Sequence, residues 1–152
     1  MTLPASSPDE RPVPSFERGR VVDAMHPGVL TCPRETPLRT VARMMASYRV
    51  HCVVVLDQRT EADDMGSLWG VVSDLDLVGA LAAGDVEDRT AGGTAATPVV
   101  MVSPDETLVR AAQLMTEHGT AHLVVVDRTS RLPLGVLSTL DLARVAAAER
   151  PV

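Results

Sequence analysis

The sequence predicts an α+β fold of two β-α-β-β-α repeats packed sheet against sheet. Three observations predict it. First, Gly70-Val71-Val72-Ser73-Asp74-Leu75-Asp76 returns as Gly135-Val136-Leu137-Ser138-Thr139-Leu140-Asp141, with both polar positions displaced by 65 residues (138 − 73 and 141 − 76); a fixed displacement marks an internal repeat. Second, the helical face Leu38, Val41, Ala42, Met45 returns as Leu108, Ala111, Ala112, Met115, displaced by 70 (108 − 38) and spaced i, i+3, i+4, i+7. Third, Cys52-Val53-Val54-Val55-Leu56 and Leu123-Val124-Val125-Val126 are apolar runs without polar alternation, ending at Asp57 and Asp127, as expected of strands covered on both faces. A unit of about 55 to 60 residues struggles to bury its own apolar faces, so the two should share one core.

In chain order, residues 1–18 carry Pro4, Pro8, Pro12 and Pro14 among polar residues and read as a flexible Pro-rich tail. The first repeat is placed at 19–84. Val21 to Met25 forms a short apolar turn leading to His26-Pro27-Gly28, and Val29 to Cys32 a brief strand. Thr36-Pro37 is read as an N-cap followed by proline at the first helical position, opening the Leu38 helix. After the Cys52–Leu56 strand, residues Gln58 to Ser67 are polar and acidic and read as a surface hairpin loop. Leu68 to Val72 then delivers Ser73, and a helix through Leu75, Leu77, Val78 and Leu81 ends near Gly84. Residues 85–96, with Gly92 and Gly93 among acids and small residues, are expected to be a linker. The second repeat, 97–149, runs Val99 to Val102 as strand, Asp105 as candidate N-cap, then the Leu108 helix, the Leu123 strand and the second Gly-led strand. The drop in displacement from 70 to 65 falls in the loop after Asp57, where a length change costs little.

Composition narrows the function. A net charge of −6 and three aromatic residues, Phe16, Tyr48 and Trp69, leave neither the clustered basic surface nor the stacking platform that nucleic acid requires. No run reaches the roughly 18 apolar residues of a membrane span, and no secretion signal opens the chain, so a soluble cytoplasmic protein is expected. Cys32 and Cys52 form no CxxC pair and read as small strand hydrophobes. No Gly-x-Ser-x-Gly elbow supports a hydrolase, and a Ser and an Asp three apart leave no base between them; no catalytic residue is assigned. His51-Cys52 is a poor metal pair, because neighbouring strand residues point to opposite faces. His26 and His118 read as turn or surface residues.

The chemistry concentrates at the Gly-h-h-Ser-x-x-Asp junctions, where h is apolar. Ser-x-x-Asp before an apolar run is a capping box. Behind an apolar strand it is also a nucleotide cradle: free N–H groups of the helix start suit a phosphate, and an acceptor-only carboxylate suits the two hydroxyls of a ribose. The order of elements, the tandem pairing, the Met25-His26-Pro27 and Ala96-Thr97-Pro98 lead-ins and both junctions resemble a pair of CBS domains, the regulatory module named after cystathionine β-synthase, over roughly residues 20 to 149. The resemblance implies a pseudo-two-fold module with two clefts between its sheets, dimerisation, and binding of AMP, ADP, ATP or S-adenosylmethionine as a regulatory ligand rather than a required cofactor. It implies phosphate contacts at Ser73 and Ser138 and ribose contacts at Asp76 and Asp141. It departs from the family where Val53 and Val124 stand near a common proline.

The function implied is a non-catalytic, energy-sensing regulatory module acting on a separate, unidentified partner; the alternative is a ligand-free dimeric scaffold with degenerate sites. A homodimer is expected from the apolar faces at Leu38 and Leu108 with Leu77, Val78, Leu142 and Val145. The clefts should be unequal. The second junction has neutral Thr139 where the first has Asp74, and Arg144 where the first has Gly79, which favours an anion beside Ser138 and Asp141. Arg144 reads equally as a phosphate ligand or as an i, i+3 partner of Asp141.

Overall fold

In the computed structural model of the chain the structure is described for residues 15–57 and 67–148. The first repeat comprises α1 (Val21–Ala24), β1 (His26–Pro27), β2 (Thr31–Pro33), α2 (Leu38–Tyr48), β3 (Cys52–Asp57), β4 (Ser67–Ser73) and α3 (Asp74–Ala83). After a 3₁₀ turn at Val86–Asp88 the second comprises α4 (Ala91–Thr94), β5 (Met101–Val102), α5 (Leu108–His118), β6 (His122–Val126), β7 (Pro133–Ser138) and α6 (Thr139–Ala148). Most of the Pro-rich tail and the loop of residues 58–66 lie outside the described residues.

One sheet has the order β2-β3-β4, the other β1-β7-β6-β5. The central strands pair parallel with the short strand of their own repeat, β2 with β3 and β5 with β6, and antiparallel with the Gly-led strand, so that Val55 faces Gly70 and Val125 faces Gly135. Alternation along each strand builds three apolar layers, because successive side chains leave opposite faces. Val53 and Val55 join Leu38, Val41, Met45 and Ala80 under the first repeat's helices, and Leu123 and Val125 join Leu108, Ala111, Met115 and Val145 under the second's. Val54, Val124 and Val126 form the layer between the sheets, with Leu56, Val71 and Val136. The sheets therefore pack face to face, as the unbroken apolar runs predicted.

The lead-in to each repeat belongs to the other one. Strand β1 pairs antiparallel with β7, His26 opposite Val136 and Pro27 opposite Gly135, while Ala96 bridges to Val71 on β4. Val21 is packed in the second repeat's core and Ala91 in the first's. Matching backbone bonds hold the crossings: Val21 N–H to Glu106 C=O at 2.9 Å and Leu108 N–H to Gly19 C=O at 3.1 Å, against Ala91 N–H to Thr36 C=O at 2.8 Å and Leu38 N–H to Arg89 C=O at 3.0 Å. The segment 85–96, expected as a linker, is thus ordered packing. Its small residues reflect crowding: a Cβ on Gly92 would lie 2.8 Å from that of Arg34, and the Gly92 carbonyl accepts the Trp69 indole N–H at 3.0 Å. The glycine that opens each junction has the same cause. A Cβ on Gly70 would lie 2.6 Å from the Ala96 carbonyl oxygen, and one on Gly135 would overlap that of His26.

Other local expectations shift. Helix α2 starts one residue late, with Pro37 at the cap position and no side-chain cap bond. Thr107, not Asp105, caps α5, its hydroxyl accepting from Arg110 N–H at 3.1 Å, while Asp105 bonds Arg128 at 3.2 Å. Strand β2 runs Thr31–Pro33 rather than Val29–Cys32, and β5 Met101–Val102 rather than Val99–Val102; Val29 and Val99 precede them and pack into the layer between the sheets. Among the described residues no helix is long and apolar enough to cross a membrane.

Candidate functional site

Both Ser-x-x-Asp junctions fold as closed capping boxes. In the first, Asp76 N–H donates to Ser73 Oγ at 3.2 Å, and Asp76 Oδ2 accepts from Ser73 N–H and Oγ, each at 2.9 Å. In the second, Asp141 N–H donates to Ser138 Oγ at 3.2 Å, and Asp141 Oδ2 accepts from Ser138 N–H at 2.8 Å and Oγ at 3.0 Å. The copies differ at the other carboxylate oxygen. Asp141 Oδ1 lies 2.8 Å from His26 Nε2, and the Asp141 side chain is 1% exposed. The matching lead-in position in the first cleft is Ala96 (96 − 26 = 70), so Asp76 has no such partner and is only half-buried. His26, expected as a turn residue, thus ties the first lead-in to the second junction, a contact 115 residues apart (141 − 26) that local sequence does not signal. Arg144 lies 3.7 Å from Asp141 and 3.5 Å from His26, the i, i+3 alternative.

Between the repeats opens a cleft of about 590 Å³, walled by His26 to Leu30, Tyr48 to Cys52, His122, Val136, Ser138, Leu140 and Arg144. That size suits a small-molecule ligand. It brings Ser138 and Arg144 into one wall; Ser73, Asp76 and Asp141 are not wall residues. Cys52 and His122 are the first residues of β3 and β6, on the alternation that sends Val54 and Val124 between the sheets, so both sit at the mouth of that layer. Sequence reasoning missed Arg49 as a wall residue. It ends α2 in the left-handed conformation, φ 54°, where the second repeat has Gly119, φ 60°, at the repeat displacement of 70 (119 − 49).

The electrostatics follow from burial and pairing. The His51 Nδ1 contact at 2.9 Å holds the Asp74 carboxyl below its ordinary range. Burial is the main cause of His122's lowered pKa; Asp74, Asp141 and Asp76 oppose it, and His51 adds to it. Burial, then Asp74, pushes the Cys52 thiol up to about 12, so it stays protonated and unreactive at neutral pH. Among the described residues no group of three His, Cys, Asp or Glu side chains is placed to hold a metal ion.

Two exchanged repeats packed around an inter-sheet cleft define a paired-repeat module. The CBS domain family matches residues 21–83 and 92–148, and the chain belongs to that family. The CBS domain pair of protein MJ0100, in complex with 5′-methylthioadenosine and S-adenosyl-L-methionine, shares the fold at TM-score 0.74 and 19% identity, over 87% of this chain and 98% of that one. CBS domain protein PAE2072 from Pyrobaculum aerophilum, complexed with AMP, is similar at TM-score 0.70 and 27% identity, over 85% of this chain and 99% of that one. ATU1752 from Agrobacterium tumefaciens, a CBS-domain containing protein, is similar at TM-score 0.70 and 20% identity, over 84% and 92%. No curated protein sequence matches the chain.

Proposed function

We propose that this CBS pair is a non-catalytic, energy-sensing regulatory module of the cytoplasm. It binds an adenine nucleotide of the AMP, ADP or ATP class, or S-adenosylmethionine, between its repeats and passes that state to a separate protein. The cleft carries the reading: about 590 Å³, with Ser138 and Arg144 in its wall. The AMP complex of PAE2072, at 27% identity, supports it. Ser138 and Arg144 take phosphate, Asp141 takes the ribose when His26 swings aside, and Ser73 with Asp76 serve the first cleft. Calorimetric titration tests this. AMP should bind about tenfold more tightly than 2′-deoxy-AMP, the worth of one charge-assisted hydrogen bond; equal affinities would leave the aspartates as helix caps.

A second reading, the ligand-free dimeric scaffold, is favoured by Asp141, whose oxygens are already engaged by Ser138 and His26. Absence of binding by AMP, ADP, ATP and S-adenosylmethionine alike would select it.

Both readings include a homodimer, but of the residues named for it only Val78 is exposed. Leu38, Leu108 and Val145 are buried, and Leu77 and Leu142 are packed against the cores. Val78 (54%) is joined along α3 by exposed Leu75 (75%) and Leu81 (56%), with Leu140 and Tyr48 exposed as well, an apolar surface suited to a second copy. Light scattering should give twice 16.2 kDa for the native chain and a monomer for the double variant Leu75→Glu/Val78→Glu. A native monomer at micromolar concentration counts against the dimer.

A further inference from the structure

Among the described residues the cleft wall carries basic side chains and no carboxylate. Arg49 and His51 come from the first repeat, His122 and Arg144 from the second and His26 from the crossing strand, in a chain with 20 acidic residues against 14 basic. Behind the wall, His26 is held by Asp141 at 2.8 Å and His51 by Asp74 at 2.9 Å. Arg49 and the His122 ring have no hydrogen-bond or ion-pair partner among the described residues. Arg49 also holds its place against a backbone preference. Its left-handed φ of 54° is one that glycine adopts freely, as Gly119 does at the equivalent position, so the first repeat keeps a strained arginine where the second keeps none.

Resting on the nucleotide reading above, we propose that this cleft selects its ligand by phosphate charge, taking a nucleoside triphosphate over a monophosphate, and that the bound polyanion draws one proton onto His122. The proton comes from solvent: neutral imidazole plus H⁺ gives imidazolium beside the phosphates, and no bond to the ligand forms or breaks. The groups acting on His122 are Asp74 and Asp76 from α3, Asp141 from α6 and His51 before β3. Burial outweighs the three carboxylates and holds the ring below its ordinary pKa, so it is neutral in the empty cleft at pH 7. Added negative charge raises that pKa, so binding takes up a proton and tightens as pH falls from 8 toward 6.

Calorimetry on the full chain tests this with ATP, AMP and inorganic triphosphate, at pH 7, in two buffers of unequal ionisation enthalpy. ATP should bind at least about tenfold more tightly than AMP, and its apparent enthalpy should differ between buffers by the uptake of a proton. His122→Gln should abolish the buffer difference. Arg49→Gly, which relieves backbone strain, should lower ATP affinity about tenfold while leaving the thermal midpoint unchanged or raised. AMP binding as tightly as ATP, or an enthalpy independent of buffer, overturns the proposal and leaves the nucleotide reading standing. Inorganic triphosphate binding as tightly as ATP supports charge selection and removes adenine from the reading. Failure of all three ligands to bind overturns both.

Discussion

Gly135→Ala should destabilise the fold by about 3 kcal/mol, near the upper end of overpacking penalties, and lower the thermal midpoint by roughly 10 °C. An alanine Cβ there would overlap the His26 carbonyl oxygen and lie 3.3 Å from Met25 Sδ. The obstacle is backbone, held in place by the pairing of His26 with Val136 and Pro27 with Gly135 and by the Gly28 N–H to Leu134 C=O bond of 2.9 Å. It therefore yields only if β1 leaves the sheet and uncouples the repeats. Gly79→Ala is the control. It lies inside α3 with nothing within 4 Å of the added carbon, and should stabilise by about 1 kcal/mol because alanine is the better helix former. Urea titration of the two variants measures both. Native-like stability of Gly135→Ala would mean that the exchanged lead-in does not hold the repeats together.

The same glycine marks how far the sequence could be read. The repeat was legible because its displacements, 65 and 70, hold over strands and helices whose periods are set by geometry. Sheet-on-sheet packing was legible from Val53-Val54-Val55 and Val124-Val125-Val126, which have no polar face to offer water. The exchange was not. His26-Pro27 is too short for any period, and its partners near residue 135 are joined to it by nothing local. The alanines and glycines of 85–96 read as a loop because small residues serve close packing and flexibility alike. The exposed side of α3 was hidden too, since Leu75, Leu77, Val78 and Leu81 surround the helix and give no moment to tell inside from outside. Arg49 could have been found, because aligning the repeats sets it against Gly119 at a helix end where glycine is the usual residue.

Asp141→Ala should destabilise by about 3 kcal/mol and Asp76→Ala by about 1 kcal/mol, although the motif places them identically. Each carboxylate accepts from the amide and hydroxyl of its serine, but Asp141 is buried and also takes His26 Nε2 at 2.8 Å. Its loss leaves the part-buried Ser138 amide without its acceptor and cuts a side-chain tie between β1 and α6. Asp76 is half-buried, with Ala96 where His26 would stand, so its loss is that of a helix cap that water in part replaces. A double-mutant cycle of His26→Ala with Asp141→Ala should return a coupling of about 1 to 2 kcal/mol; a coupling near zero would show that the 2.8 Å contact carries no stability. On the nucleotide reading the aspartates separate again in AMP titrations. Thr139 in place of Asp74 removes one negative charge beside the second helix start, and Ser138 and Arg144 both stand in the cleft wall. Asp141→Ala should remove most of the binding, measured at a temperature where the variant is fully folded, while Asp76→Ala leaves it largely intact. The reverse order would move the occupied cleft to the first junction.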